Sequence, residues 1–141
     1  MSAKENCDLA LEIYRLSNEG EFDRILELTR PDVEVDAPAL GQTFTGRPGF
    51  QSFLQTFTHA FPDLRITVVN QVADDTTVVN ECTWTGTHNG PLMSANGPIQ
   101  PTGRRVEGAR FCEVWTIRDG ALARLVNYQD LGTWLRQLGL A

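Results

Sequence analysis

Between Phe50 and Phe61 five large apolar side chains, Phe50, Phe53, Leu54, Phe57 and Phe61, recur at i, i+3, i+4, i+7 and i+11. That period is one face of an α-helix. Pro48 stands near its start and Pro62 just past its end, where a ring that fixes φ and lacks an N–H is tolerated. Nearly everything C-terminal to this helix alternates as β-structure, so its aromatic stripe has to be laid on a sheet.

The remaining pattern says which sheet. Residues 4–18 read as a helix with Cys7, Ala10, Leu11 and Tyr14 on one stripe, Leu9, Ile13 and Leu16 beside it, and a stop at Asn18-Glu19-Gly20. "EFDRILELT" gives a short second helix through Phe22, Ile25 and Leu26. "DVEVDA" alternates as a strand, and "GQTFTG" as a short strand or turn. After the Phe-rich helix come "LRITVVNQV", "TTVVNECTWTGTH", "RRVEGARFCEVWTI" and "ALARLVNY" as strands, with a loop over 89–103. Asp119-Gly120 in "RDG" is a tight-hairpin signal, since both central residues of such a turn take positive φ. "DLGTWLRQLGL" reads as a closing helix.

Helices first and antiparallel strands later make an α+β class. Glycines inside long strands, Gly86 and Gly108, suit bends or bulges. The expected architecture is a strongly curved, mixed but mainly antiparallel sheet wrapped around the N-terminal helices. Such a cone leaves an internal cavity fit for an apolar ligand. The 141 residues fit one domain, 1–141.

The formal charge of −6 argues against nucleic acid or an anionic membrane as partner. Cys7, Cys82 and Cys112 are an odd number without Cys-x-x-Cys spacing, which suits reduced thiols and a cytoplasmic protein. Neither a secretion signal nor a membrane span is expected from the apolar runs. Phosphate-binding glycine loops, dinucleotide fingerprints, His-Glu-x-x-His and Gly-x-Ser-x-Gly are all missing, so neither metal nor cofactor is expected.

The stretches "AFPDLRITV" (60–68), "GTHNGPL" (86–92), "PTGRRVE" (101–107), "RDG" (118–120) and "LRQLGL" (135–140) together resemble the SnoaL-like polyketide cyclases, a branch of the nuclear transport factor 2-like fold. That resemblance covers nearly the whole chain. It implies cofactor-independent acid/base chemistry on a small apolar carbonyl or polyketide-like compound, as a cyclase or an isomerase. It also implies a homodimer, since the fold often pairs through the outer sheet face, and Thr77, Glu81 and Thr83 look exposed there. In the cyclases an Asp near the end of the last strand is the general acid/base, assisted by a His on the preceding strand. Counted outward from the Asp-Gly turn, these positions hold Asn127 and Glu113. Asn127 has no useful pKa but can donate to a carbonyl or enolate oxygen. Losing both residues leaves two alternatives open: a non-catalytic small-molecule-binding or accessory protein, and a hydroxylase-like member.

Glu113 is the first candidate for the base. Alternation sets it among Phe111, Trp115 and Ile117, where an apolar cavity would raise its pKa; a solvent-facing or salt-bridged glutamate is the competing reading. His88, at a strand end, is either a base at the cavity mouth or the organiser of the following loop. Asp36 is either a base, by positional analogy with isomerases of this fold, or a turn residue before Pro38. Tyr14 either donates to a ligand or makes a structural hydrogen bond. Phe53, Trp84, Phe111 and Trp115 are candidate walls for a small apolar or aromatic ligand. Met93 either closes over that ligand or packs within its loop.

Overall fold

A computed structural model describes residues 1–141. The chain starts with α1 (Ala3–Glu19). Ser2 caps it: its hydroxyl accepts from the Glu5 N–H and the Glu5 carboxylate accepts from the Ser2 N–H, both at 3.1 Å. The helix ends at Gly20, whose φ of +73° is the left-handed cap. The buried residues are Asn6, Ala10, Ile13, Tyr14 and Leu16; of the expected stripe Ala10 and Tyr14 are buried, while Cys7 is half-buried and Leu11 43% exposed. Asn6 turns the helix: its amide is fully buried and donates to the Asp74 carbonyl at 3.1 Å. A polar residue on the inward face shifts the apparent apolar stripe by about one position.

After α2 (Phe22–Glu27) the chain runs through β1 (Thr29–Ala37), a 3₁₀ turn (Pro38–Leu40) and β2 (Gln42–Thr45) into α3 (Gly46–Ala60). Next come β3 (Arg65–Ala73), β4 (Thr77–Thr87), β5 (Leu92–Ser94), β6 (Gly97–Ile99), β7 (Arg105–Arg118), β8 (Ala121–Gln129) and α4 (Leu131–Gln137). The segment expected as a plain loop at 89–103 contains the small β5–β6 hairpin. Six strands form one sheet in the order β2-β1-β8-β7-β4-β3. Only β1 and β8 run parallel; the other pairs are antiparallel.

Register breaks curl the sheet. They fall at Thr29/Glu34 in β1–β8, at Val68/Asn70 in β3–β4, at Trp84/Gly86 in β4–β7 and at Thr116/Ile117 in β7–β8. Gly108, opposite the β4–β7 break, has a φ of +59°, which a bulge of this kind demands of its glycine. Asp119 and Gly120 both take positive φ, +52° and +73°, as the two-residue β7–β8 hairpin requires.

The Phe-rich helix lies inside this curl. Phe50 and Phe53 are buried, each side chain contributing roughly 1.5–3 kcal/mol, while Phe57 is only half-buried. The C-terminal end of α3 is closed from the segment after β4: the Ala60 carbonyl accepts from the N–H groups of Asn89 (3.2 Å) and Gly90 (3.1 Å). A Cβ on Gly90 would stand 1.8 Å from the His59 carbonyl oxygen, so only glycine permits the approach. No helix is long and apolar enough to cross a membrane.

Candidate functional site

Strand register dictates where the polar side chains converge. In β7 the alternation buries Ala109, Phe111, Glu113, Trp115 and Ile117 on the concave face. The hairpin sets Glu113 directly opposite Asn127 and Phe111 opposite Gln129, and opposed residues share a face. From the other side α1 delivers Tyr14. Glu113 Oε1 accepts from the Tyr14 hydroxyl at 2.6 Å and from the Trp115 indole N–H at 3.2 Å. Its Oε2 accepts from Asn127 Nδ2 at 2.8 Å. Behind Asn127, its Oδ1 accepts from Gln129 Nε2 at 3.0 Å, and Gln129 Oε1 accepts from the Trp134 indole N–H at 2.9 Å.

Glu113 and Asn127 are each 5% exposed, and no cation pairs with the carboxylate. Burial drives the Glu113 carboxyl above its ordinary range, while the bonds from Tyr14, Asn127 and Trp115 pull the other way. The Tyr14 phenol is raised well above its usual value, first by burial and then by the nearby Glu113 charge, so it stays a donor. Cys82, which faces Tyr14, is pushed up to about 12 by burial and by Glu113. The result is a lone carboxylate with three neutral donors, able to exchange a proton nearer neutrality than a free glutamate.

These groups border a cavity of about 80 Å³. One water needs roughly 10–15 Å³ of such space, so the hollow is not filled by the phenylalanines. Phe50, Phe53, Phe57, Trp84, Phe111 and Trp115 line it, with Tyr14, Glu113, Asn127 and Gln129 as polar contributors. Half-buried Ser17, Leu54, Thr58, Leu64 and Ile66 also line it, between α1, α3 and the start of β3.

Three candidate residues lie elsewhere. His88 is fully buried but does not border the cavity: its Nδ1 accepts from the Thr102 N–H at 3.1 Å and its ring packs on Phe61 at 5.4 Å. Its backbone pairs with Gly103 and Arg104, so it organises the connection to β7. Asp36 sits out of phase with buried Val33, Val35 and Ala37, so its side chain leaves β1 on the convex side, away from the cavity. Met93 alternates with buried Leu92 and is 61% exposed, away from the hollow. Gln129 and Trp134 join the site without having stood out in the sequence. Gln129 does carry a signal, since it follows Asn127 by two in a strand and must share its face. Nowhere do three or more His, Cys, Asp or Glu side chains gather as a metal would need.

The family model described as a SnoaL-like domain matches residues 10–125. No curated protein sequence matches the chain. Among solved structures, IdmH, a candidate polyketide cyclase from Streptomyces antibioticus, is 28% identical with a TM-score of 0.79, covering 94% of this chain and 97% of its own. AclR, a candidate hydroxylase from Streptomyces galilaeus, is 25% identical with a TM-score of 0.84, covering 99% of each chain. A candidate SnoaL-like polyketide cyclase from Jannaschia sp. CCS1 superposes with a TM-score of 0.86 at 20% identity, covering 99% of this chain and 94% of its own; at that identity the likeness is one of fold.

Proposed function

This chain belongs to the SnoaL-like domain family, and on that premise we propose that it is a cofactor-independent enzyme acting by acid/base chemistry on a small apolar carbonyl compound of polyketide type, as a cyclase or isomerase. The observation that carries the reading is the opposed pair Glu113–Asn127 inside an aromatic-walled hollow. Glu113 Oε1 already accepts two hydrogen bonds, whereas Oε2 accepts one. The unused lone pair of Oε2 is therefore the basic position, and it lies beside the Asn127 amide.

In this scheme Oε2 removes a proton from carbon next to the ligand's carbonyl. The C–H electron pair becomes the enolate C=C bond, and the carbonyl π pair moves onto oxygen. The second N–H of Asn127 binds that oxygen as its charge develops, the role of an oxyanion donor. Tyr14 and Trp115 hold the carboxylate still. The enolate carbon then attacks a second carbonyl carbon, whose oxygen takes the proton back from Glu113; return of that proton to a different carbon instead gives isomerisation. Neither route needs an oxidant.

The test is hydrogen–deuterium exchange at the α-carbon of a panel of aromatic methyl ketones and 1,3-diketones in D₂O, followed by proton NMR. Exchange catalysed by the wild type and lost in Glu113→Gln is the expected result. Saturable binding of the panel with no exchange by wild type would overturn it in favour of a non-catalytic binding protein. AclR carries a hydroxylase description; a product one oxygen heavier in mass spectrometry would move this chain to that alternative.

A homodimer built on the convex sheet face accompanies this reading. Val72, Val79 and Val114 occupy successive paired positions across β3, β4 and β7 there, and Val72 and Tyr128 are 63% and 52% exposed. Sedimentation giving a monomer at micromolar concentration would exclude it.

A further inference from the structure

We infer that Gln129 and Trp134 are positioning residues that lock the Asn127 amide with its nitrogen toward Glu113, so that a proton on Glu113 is left for the ligand. The inference rests on the proposed reaction only for the identity of the proton's recipient. The locking itself stands on the geometry.

An asparagine amide has two orientations that exchange its oxygen and nitrogen. In the observed one Nδ2 donates to Glu113 and Oδ1 accepts from Gln129. Turned over, Oδ1 would face the carboxylate, acceptor against acceptor, and Nδ2 would face Gln129 Nε2, donor against donor. Gln129 could turn over as well and restore its bond, were it free. It is not, because its Oε1 is held by the indole N–H of Trp134, and an indole can only donate. Trp134 is itself 1% exposed and wedged edge-on against Phe61 and Trp84. The direction of every bond from Trp134 through Gln129 and Asn127 to Glu113 thus follows from one indole.

This polarity matters when Glu113 takes up a proton. A neutral carboxyl needs an acceptor for its hydrogen. Asn127 cannot turn to supply one, and Trp115 can only donate. Tyr14 is the one partner able to reverse, and reversal would leave its own hydrogen to Cys82 sulfur, a weak acceptor. The titratable groups facing Glu113 are Tyr14 from α1 and Cys82 from β4, both neutral at pH 7, with Cys112 behind it on the convex face of β7. The proton is left on the free lone pair of Oε2, which faces the cavity.

Carbon-detected NMR titration of the Glu113 carboxyl, assigned by its loss in Glu113→Gln, tests this without any substrate. In Gln129→Met the amide of Asn127 is freed to turn and accept the carboxyl hydrogen. The Glu113 midpoint is expected to rise by about half to one pH unit, the worth of one hydrogen bond. A less polar environment alone would also raise it, so a second readout is needed. One Asn127 amide hydrogen and the Trp115 indole hydrogen end on the same carboxylate, at Oε2 and Oε1. Their nuclear Overhauser contact should persist below the midpoint in the wild type and vanish below it in Gln129→Met. Trp134→Phe should reproduce both changes in weaker form, because Gln129 keeps a partner in Asn127.

A contact that survives protonation in Gln129→Met overturns the lock, whatever the midpoint does. Both changes in Gln129→Met with neither in a folded Trp134→Phe overturn the Trp134 half. Should the deuterium-exchange assay fail while the amide is seen to turn, the proposed reaction falls and the lock stands. Exchange with no turning keeps the reaction and removes the lock.

Discussion

Glu113 and His88 are both buried polar side chains, 5% and 0% exposed, yet of the two only Glu113 lines the cavity. Around Glu113, which lines the cavity, every partner is a donor and Oε2 keeps one lone pair unused. Around His88 the neighbours are the Phe61 ring and the backbone of the connection to β7, with the ring serving as an acceptor for Thr102. Burial moves the two in opposite electrostatic senses: the carboxyl upward and the imidazole downward, each toward its neutral form. A perturbed titration is thus common to a pocket residue and a structural one, and the empty volume beside the group tells them apart.

The largest effect should separate the two on turnover. Glu113→Gln is isosteric and keeps the carbonyl that accepts from Tyr14, but its new amide nitrogen meets Asn127 Nδ2 donor against donor, so exchange is read per folded molecule. Deuterium exchange on the ketone panel should fall by about 10²- to 10⁴-fold, the usual worth of a general base. His88→Leu should leave exchange per folded molecule within about threefold, since no contact with the cavity is altered. Equal losses in both variants would erase the distinction between the two sites.

Next in size is Asn127→Asp, which puts at this position the carboxylate that the SnoaL-like cyclases carry. The new group would stand where Nδ2 now lies, 2.8 Å from Glu113. Two carboxylates at that separation cannot both ionise cheaply, so the pair should share one proton at neutrality and titrate in two macroscopic steps. Denaturation above the upper step should show a loss of roughly 3 kcal/mol or more, as for an uncompensated buried charge. Two overlapping titrations of ordinary carboxylates would mean that the site is far wetter than its burial implies.

A smaller effect belongs to the His88 corner alone. His88→Leu removes the acceptor for the Thr102 N–H and should destabilise by roughly 1–3 kcal/mol, read from the urea midpoint. A midpoint equal to that of the wild type would mean that the 88–104 connection does not depend on the imidazole.

How much of this is written in the sequence follows the same division. The Phe stripe, the Asp-Gly hairpin and the alternation of β7 are local patterns, so the elements and the inward face of Glu113 can be read directly. Asp36 becomes a candidate only by positional analogy, although its parity with Val33 and Val35 already puts it on the other face. Met93 carries no such cue, because the β5–β6 hairpin is too short to show a period. The rotation of α1 by Asn6 and the bonds from Trp134 to Glu113 join elements far apart in the chain. Distances of that kind are set by how α1 and α4 dock, which no local pattern encodes.

The finest expectation concerns pH. Glu113 has a folded pKa above its unfolded value, so the folded state holds its proton more tightly. Its contribution is complete below the unfolded pKa, about 4.3, and is lost as pH rises through the folded value. His88 has a folded pKa below its unfolded value of about 6.5, so its contribution is present above that pH and is lost as pH falls toward the folded value. Over the mildly acidic range the two slopes oppose, and the wild-type curve should be flatter than either alone. Glu113→Gln should remove the decline on the alkaline side and leave the acid-side loss exposed. His88→Leu should do the reverse. A tenfold change in proton affinity between the folded and unfolded chain corresponds to about 1.4 kcal/mol, within reach of urea midpoints taken between about pH 4 and 8. Curves for Glu113→Gln and wild type that run parallel throughout would mean that Glu113 titrates alike in the folded and unfolded chain. The hydrogen bonds from Tyr14, Asn127 and Trp115 would then cancel the effect of burial, leaving the carboxylate no more basic than a free glutamate.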